Sequence, residues 1–174
     1  MKKLEEYVRS IPDFPKEGII FRDVTTVLQD AEGFHLAIDE MIKKLEGVDF
    51  DVVVGAEARG FVFASAIAYA LNKPVVLVRK KGKLPFETIE REYSLEYGTA
   101  VLEMHRDSIS KGQRAVIVDD LIATGGTLEC AAELVEELGG VVSKIICLIE
   151  LKGLKGRELL KDYDVASVIE YEGK

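Results

Sequence analysis

Asp119 and Asp120 close a β-branched run, Val116-Ile117-Val118, and are followed by Leu121-Ile122 and then by Ala123-Thr124-Gly125-Gly126-Thr127. Paired acids at this spacing from a glycine-rich turn have the chemical outline of a ribose 5-phosphate site. The carboxylates can accept hydrogen bonds from two vicinal hydroxyls or hold a metal through water, whereas a phosphate set against them would be repelled. The turn can take the phosphate. Its closely spaced backbone N–H groups and two hydroxyls lead into an apolar-periodic segment, 128–138, whose helical N-terminus favours an anion. A strand, an Asx-type turn and an N-cap would explain Thr124 or Thr127 on backbone grounds, but not paired acids together with paired glycines. The run lacks the Gly-Lys-Ser/Thr of a P-loop and the G-x-G-x-x-G of a dinucleotide fingerprint.

Three further segments carry candidate chemistry. Val52-Val53-Val54-Gly55-Ala56-Glu57-Ala58-Arg59-Gly60 reads as a second buried strand, a small-residue turn and a helix, in which Arg59 offers a charge-assisted donor suited to pyrophosphate. Alone it reads equally well as a strand-to-helix turn with a surface arginine. Arg79-Lys80-Lys81-Gly82-Lys83 is a basic island directly after Val75-Val76-Leu77-Val78, which reads as a buried strand, so its first members are expected to emerge where a polyanion would need counter-charge. Glu96, between Leu95 and Tyr97, is the acid/base candidate: desolvated, its pKa would rise toward the range useful for exchanging a proton with a purine nitrogen. A solvent-facing glutamate on a hairpin is the plainer alternative. Phe21 can stack on a planar base or pack in a core. His35 and His105 have no matching ligand cluster, and Cys130 and Cys147, without CxxC spacing, read as buried free thiols.

The elements that must position these groups follow from hydrophobic periodicity. Helices are expected at about 3–9, 34–45, 60–71, 126–138 and 154–160, and strands at 52–55, 74–79, 115–119, 141–148 and 165–169. The stretch 80–92 is too long and charged for a tight connection and reads as a mobile lid, after which 100–104 pairs with 92–95. Ile11-Pro12-Asp13-Phe14-Pro15 reads as an irregular arm feeding Gly18 to Asp23. At 174 residues, 48% of them hydrophobic, one soluble α/β domain with a doubly wound sheet is the expectation. The net charge of −8 argues against general affinity for nucleic acid or anionic membranes. No apolar run reaches membrane-span length, and the charged start has no signal-peptide core, so the expected location is the cytoplasm.

The run from Val116 to Thr127 resembles the phosphoribosyl pyrophosphate (PRPP) motif of the type I phosphoribosyltransferases. Pro12-Asp13-Phe14-Pro15, 18–23, Ala58-Arg59-Gly60, 79–85, Ser94-Leu95-Glu96-Tyr97-Gly98 and 151–157 extend the likeness to members that act on adenine, over nearly the whole chain. Phe86 departs from the pattern, which has a smaller residue there. The resemblance implies a type I phosphoribosyltransferase-like fold: a central, mainly parallel twisted sheet flanked by helices, in a single domain spanning 1–174, with an N-terminal hood at 1–30 and a flexible lid at 80–98. It implies that Ala123, Thr124, Gly125, Gly126 and Thr127 bind the 5-phosphate and that Asp119 and Asp120 hold the ribose hydroxyls. Arg59, Arg79, Lys80 and Lys83 would serve pyrophosphate, while Ile20, Phe21 and Arg22 form the adenine pocket, largely through main-chain groups. Glu96 would handle the proton. The implied reaction is adenine plus PRPP giving AMP and pyrophosphate, with Mg²⁺ held mainly by PRPP and water rather than by direct protein ligands, in a homodimer. A second reading keeps the fold and changes the base to hypoxanthine, guanine or xanthine, against which only 18–23 and 94–98 argue. A nucleotide-sensing regulator would need an added DNA-binding module or a basic face, and neither is evident.

Overall fold

The alternation of β-branched runs with apolar-periodic segments resolves, in the computed structural model describing residues 1–95 and 98–173, into a seven-stranded sheet with helices on both faces. A 3₁₀ turn (Leu4–Tyr7) leads into β1 (Arg9–Pro12) and β2 (Ile20–Asp23), an antiparallel pair forming a separate small sheet. Helices α1 (Thr25–Leu28) and α2 (Ala31–Lys43) follow, then β3 (Val52–Ala56), α3 (Arg59–Leu71), β4 (Val75–Lys80), β5 (Thr88–Leu95) and β6 (Gly98–His105). The chain continues through β7 (Arg114–Ile122), α4 (Gly126–Glu137), β8 (Val141–Leu151), a second 3₁₀ turn (Lys152–Leu154), α5 (Gly156–Leu159) and β9 (Val165–Tyr171).

The strand order is β5-β6-β4-β3-β7-β8-β9, with β4, β3, β7, β8 and β9 mutually parallel and the β5–β6 hairpin antiparallel at one edge. From β3 the chain winds outward to β4, and from β7 it winds the other way to β8. The connections therefore diverge above the β3–β7 pair, leaving a crevice at the carboxyl ends of these two strands.

Successive residues of β3 serve opposite faces. Val53 packs with Met41, Phe63 and Ile67 of α2 and α3, while Val52 and Val54 pack with Leu128, Ala131 and Leu134 of α4. β7 divides the same way, Val116 and Val118 against Ile117, so burial on both faces explains why these strands read as continuous apolar runs. Each such fully buried side chain contributes roughly 1.5–3 kcal/mol of transfer free energy.

Three expectations change. The N-terminal helix at 3–9 is only a 3₁₀ turn, because Arg9 is drawn into β1 by a fork onto Asp23 Oδ2 (Nε 3.1 Å, Nη2 2.7 Å), which pulls the would-be arm into a hairpin with β2. The second half of the polar stretch 80–92 is strand: β5 pairs with β6 from Thr88↔His105 to Leu95↔Gly98. Its charges hide a period of two. Ile89 is buried, while Arg91 reaches Glu133 and Glu137 of α4 at 3.3 and 3.6 Å. The expected helix at 154–160 is split by Lys155, at φ +57°, into a 3₁₀ turn and α5.

Candidate active site

The crevice between β3 and β7 is a cavity of about 450 Å³, lined from β7 onward by Asp119, Asp120 and 121–128, and from the β3 side by Glu57, Ala58, Arg59 and Lys80. Of the residues singled out in the sequence, Arg59, Lys80, Asp119, Asp120, Ala123, Thr124, Gly125, Gly126 and Thr127 thus share one space.

The turn at 123–127 has the form an anion needs. Gly125 sits at φ +90°, a conformation open to glycine, and as the N-cap of α4 it has no side chain to satisfy the first-turn N–H groups. Those donors are left for a ligand, at the positive end of a twelve-residue helix. The Thr127 hydroxyl lies 3.4 Å from that of Tyr93, whose ring also borders Gly126, so β5 closes one side of the turn.

The two acids differ. Asp120 binds Arg59 Nε across the crevice, and that bond raises the pKa of a guanidinium already charged, with lesser contributions from Asp119 and Asp23. Asp119 accepts the Asp120 N–H at 2.8 Å; burial, and then the Asp120 charge beside it, push its carboxyl well above the usual carboxylate range. α3 approaches because residue 60 is glycine: a Cβ there would stand 2.8 Å from Asp119 Oδ1 and 3.1 Å from the Val118 carbonyl.

Other expected residues lie outside the cavity lining. Arg79 Nε stands 3.5 Å from Glu57 Oε2 without hydrogen bonding, and Lys83 is exposed on the turn between β4 and β5. Ile20, Phe21 and Arg22 belong to β2. Ile20 is exposed, Phe21 meets Phe14 edge-on at 5.3 Å, and the Arg22 guanidinium lies 3.9 Å over the Tyr171 ring and donates to Ser10 Oγ. Glu96 lies outside the described residues. His105 accepts the Phe86 N–H at 3.3 Å, His35 pairs with Asp39, and both cysteines are free and buried, their thiol pKa values raised by that burial.

Sequence reasoning missed three supporting residues. Glu57 Oε2 accepts the Lys80 N–H at 2.6 Å, and Glu103, buried in β6, accepts those of Gly82 (2.7 Å) and Leu84 (2.8 Å). Two acids therefore hold the backbone of the basic island. Gly156 packs against the turn at Ala123. An acid inside the apolar stretch Leu102-Glu103-Met104 was the one visible signal. Among the described residues, no cluster of three or more His, Cys, Asp or Glu side chains is arranged to hold a metal ion.

The phosphoribosyl transferase domain model matches residues 25–172. Adenine phosphoribosyltransferase of Butyrivibrio fibrisolvens is 70% identical over all of this chain and 96% of its own length, and that of Agathobacter rectalis is 66% identical over the whole of both. The crystal structure of adenine phosphoribosyltransferase from Thermoanaerobacter pseudethanolicus is similar with a TM-score of 0.94 and 53% identity, covering 97% of this chain and 100% of that one. The Saccharomyces cerevisiae enzyme, complexed with an imino-altritol bisphosphate and adenine, is similar with a TM-score of 0.91 and 38% identity over 95% and 96%.

Proposed function

The chain belongs to the phosphoribosyl transferase family, and from that premise we infer that it transfers the 5-phosphoribosyl group of PRPP to adenine, giving AMP and pyrophosphate. The observation that carries the reading is the single cavity in which paired acids, an uncapped helix N-terminus and two cations meet, matching a sugar with a phosphate at one end and a pyrophosphate at the other.

In this reading the turn 123–127 binds the 5-phosphate and Asp119 and Asp120 take the ribose hydroxyls. Arg59, already poised on Asp120, extends to the pyrophosphate with Lys80, while Arg79 and Lys83 add charge at its edge. β2 supplies the adenine pocket through the main chain of Ile20 and Arg22, with Phe21 against the base. A fixed carbonyl accepts from the exocyclic amino group of adenine and meets an acceptor in hypoxanthine or guanine, so the wrong base leaves polar groups unpaired. Cleavage at the anomeric carbon passes through an oxocarbenium-like state. The protein's tasks are to orient the base nitrogen, stabilise the departing charge and exclude water. Glu96 receives the proton the base sheds, and residues 80–98 act as the lid.

The donor set fits Mg²⁺ without a protein cage, since this ion uses one or two carboxylates together with substrate phosphates and water. Bound on PRPP and reached by Asp119 or Asp120 through water, it would neutralise charge on the leaving pyrophosphate. The assembly proposed is a homodimer. Val62 and Tyr69 on the outer side of α3, and Val75 and Leu77 of β4, are exposed apolar side chains of the kind a second copy would bury. No described helix is long and apolar enough to cross a membrane, and the proposed location is the cytoplasm.

The test is pyrophosphate release from PRPP and Mg²⁺ with adenine, hypoxanthine, guanine, xanthine or orotate offered singly. Release is expected with adenine; release with another base and none with adenine overturns the assignment.

A further inference from the structure

Behind the turn 123–127, on the side away from the cavity, two stretches of main chain meet with no side chain between them. A Cβ on Gly156 would stand 2.7 Å from the Ala123 carbonyl oxygen, 2.7 Å from Ile122 Cγ2 and 3.4 Å from the Gly125 nitrogen; a Cβ on Gly125 would stand 3.0 Å from the Gly156 carbonyl oxygen. Gly156 is thus the floor of the turn. Its position is set by the next residue. The Arg157 guanidinium forks the Glu150 carboxylate through Nε (3.1 and 3.0 Å) and Nη2 (2.9 Å), and Nη1 donates to the Val165 carbonyl at 2.8 Å. Ser167 Oγ donates to Glu150 Oε1 at 2.7 Å. Glu150 is only 3% exposed and stands in register beside Ile122, the last residue of β7 before the turn.

A bidentate ion pair in which Glu150 is buried and the Arg157 side chain is 44% exposed is weak evidence for stability by itself. What it supplies is geometry: a planar fork admits one orientation. Here the fork ties the start of α5 to β8, the neighbour of β7, and to β9 beyond it.

We propose that Arg157 is a positioning residue for the 5-phosphate: clamped on Glu150, it seats Gly156 under 123–125 and so sets the direction of the amides that receive the phosphate. The inference rests on the reading that this turn takes the 5-phosphate. Arg157 itself touches no substrate. Its influence should therefore fall on ligands carrying the 5-phosphate and spare pyrophosphate, whose cations stand on β3–α3 and β4.

The test compares Arg157→Lys, which keeps the charge and loses the fork, with Gly156→Ala, which leaves the ion pair intact and drives a methyl into the turn. Calorimetric titrations use AMP and, separately, inorganic pyrophosphate with Mg²⁺, after thermal unfolding has established that each variant folds. A displacement of the amides by a fraction of an ångström to one ångström should weaken AMP binding by about 10- to 100-fold. Pyrophosphate binding should be unchanged, and the KM for PRPP should rise more than kcat falls. Unchanged AMP affinity in a folded Gly156→Ala overturns the inference, as does an equal loss of AMP and pyrophosphate binding, which would mark a general structural role. Unchanged AMP affinity in a folded Arg157→Lys overturns it as well; if Arg157→Lys does not fold, Glu150→Gln, which weakens the same clamp from the carboxylate side, takes its place. Failure of the unaltered chain to bind AMP would instead overturn the functional reading on which the inference stands.

Discussion

Replacing Glu103 by glutamine should loosen the turn that carries Lys83 while leaving the sheet intact. The buried carboxylate uses both oxygens on main chain, Oε1 for Gly82 and Oε2 for Leu84, and between them the Lys83 N–H donates to the Lys80 carbonyl at 3.3 Å. Glutamine keeps one oxygen and turns an NH₂ toward the other amide, so one charge-assisted bond becomes a donor facing a donor and the second becomes neutral. A hydrogen bond to a charged group contributes about 1.5–3 kcal/mol, so losing one should raise opening of the turn roughly 10- to 100-fold. Native-state hydrogen exchange reads this directly: the Gly82 and Leu84 amides should lose protection by that factor, whereas amides of β3 and β7 keep theirs. The KM for PRPP should rise, because the basic island is no longer held at the crevice. Unaltered protection at Gly82 and Leu84 would refute the reasoning. A uniform loss across the sheet would do so too, by making Glu103 a brace of the fold rather than of the turn.

Three other outcomes are expected. Gly60→Ala places a methyl 2.8 Å from Asp119 Oδ1 and 3.2 Å from its Cα, atoms of a buried strand that cannot yield, so urea unfolding should show a loss of about 1–3 kcal/mol with weaker AMP binding; an unchanged midpoint would contradict the close approach of α3. Asp23 is held down to about 2 from the ordinary 3.8, chiefly by the Thr25 hydroxyl at 2.6 Å and then by Arg9, against opposing desolvation. Between these values the unfolded chain binds the proton first, so the stability Asp23 contributes is whole above 3.8 and drains as pH falls to about 2, a slope that Asp51, also held near 2 by Arg114, shares. Acid unfolding curves of Asp23→Asn should be flatter across this window, and an unaltered slope would remove Asp23 from the account. Glu96→Ala should lower kcat and leave PRPP affinity in place, checked by pre-steady-state kinetics beside calorimetry; equal loss of both would reject a proton-handling role.

Local chemistry made much of the site legible before any fold was known. The acids, the bend and the helix start all lie between Asp119 and Thr127, so strand propensity, glycine conformation and helix polarity act on neighbours and leave their mark in one short run. The same locality exposed the parallel core, since β3 and β7 are covered on both faces and must be apolar throughout. What escaped depended on distant partners. β5 looked like a charged loop because Arg91 finds its acids on α4, and Arg9 looked helical because Asp23, in another strand, recruits it. Glu103, Gly156 and Arg157 are ordinary letters in the chain. Only the packing of β6 beneath the basic turn, and of α5 beneath the turn 123–127, gives them work, because a carboxylate can catch an amide and a glycine can admit a carbonyl only where folding brings the two together.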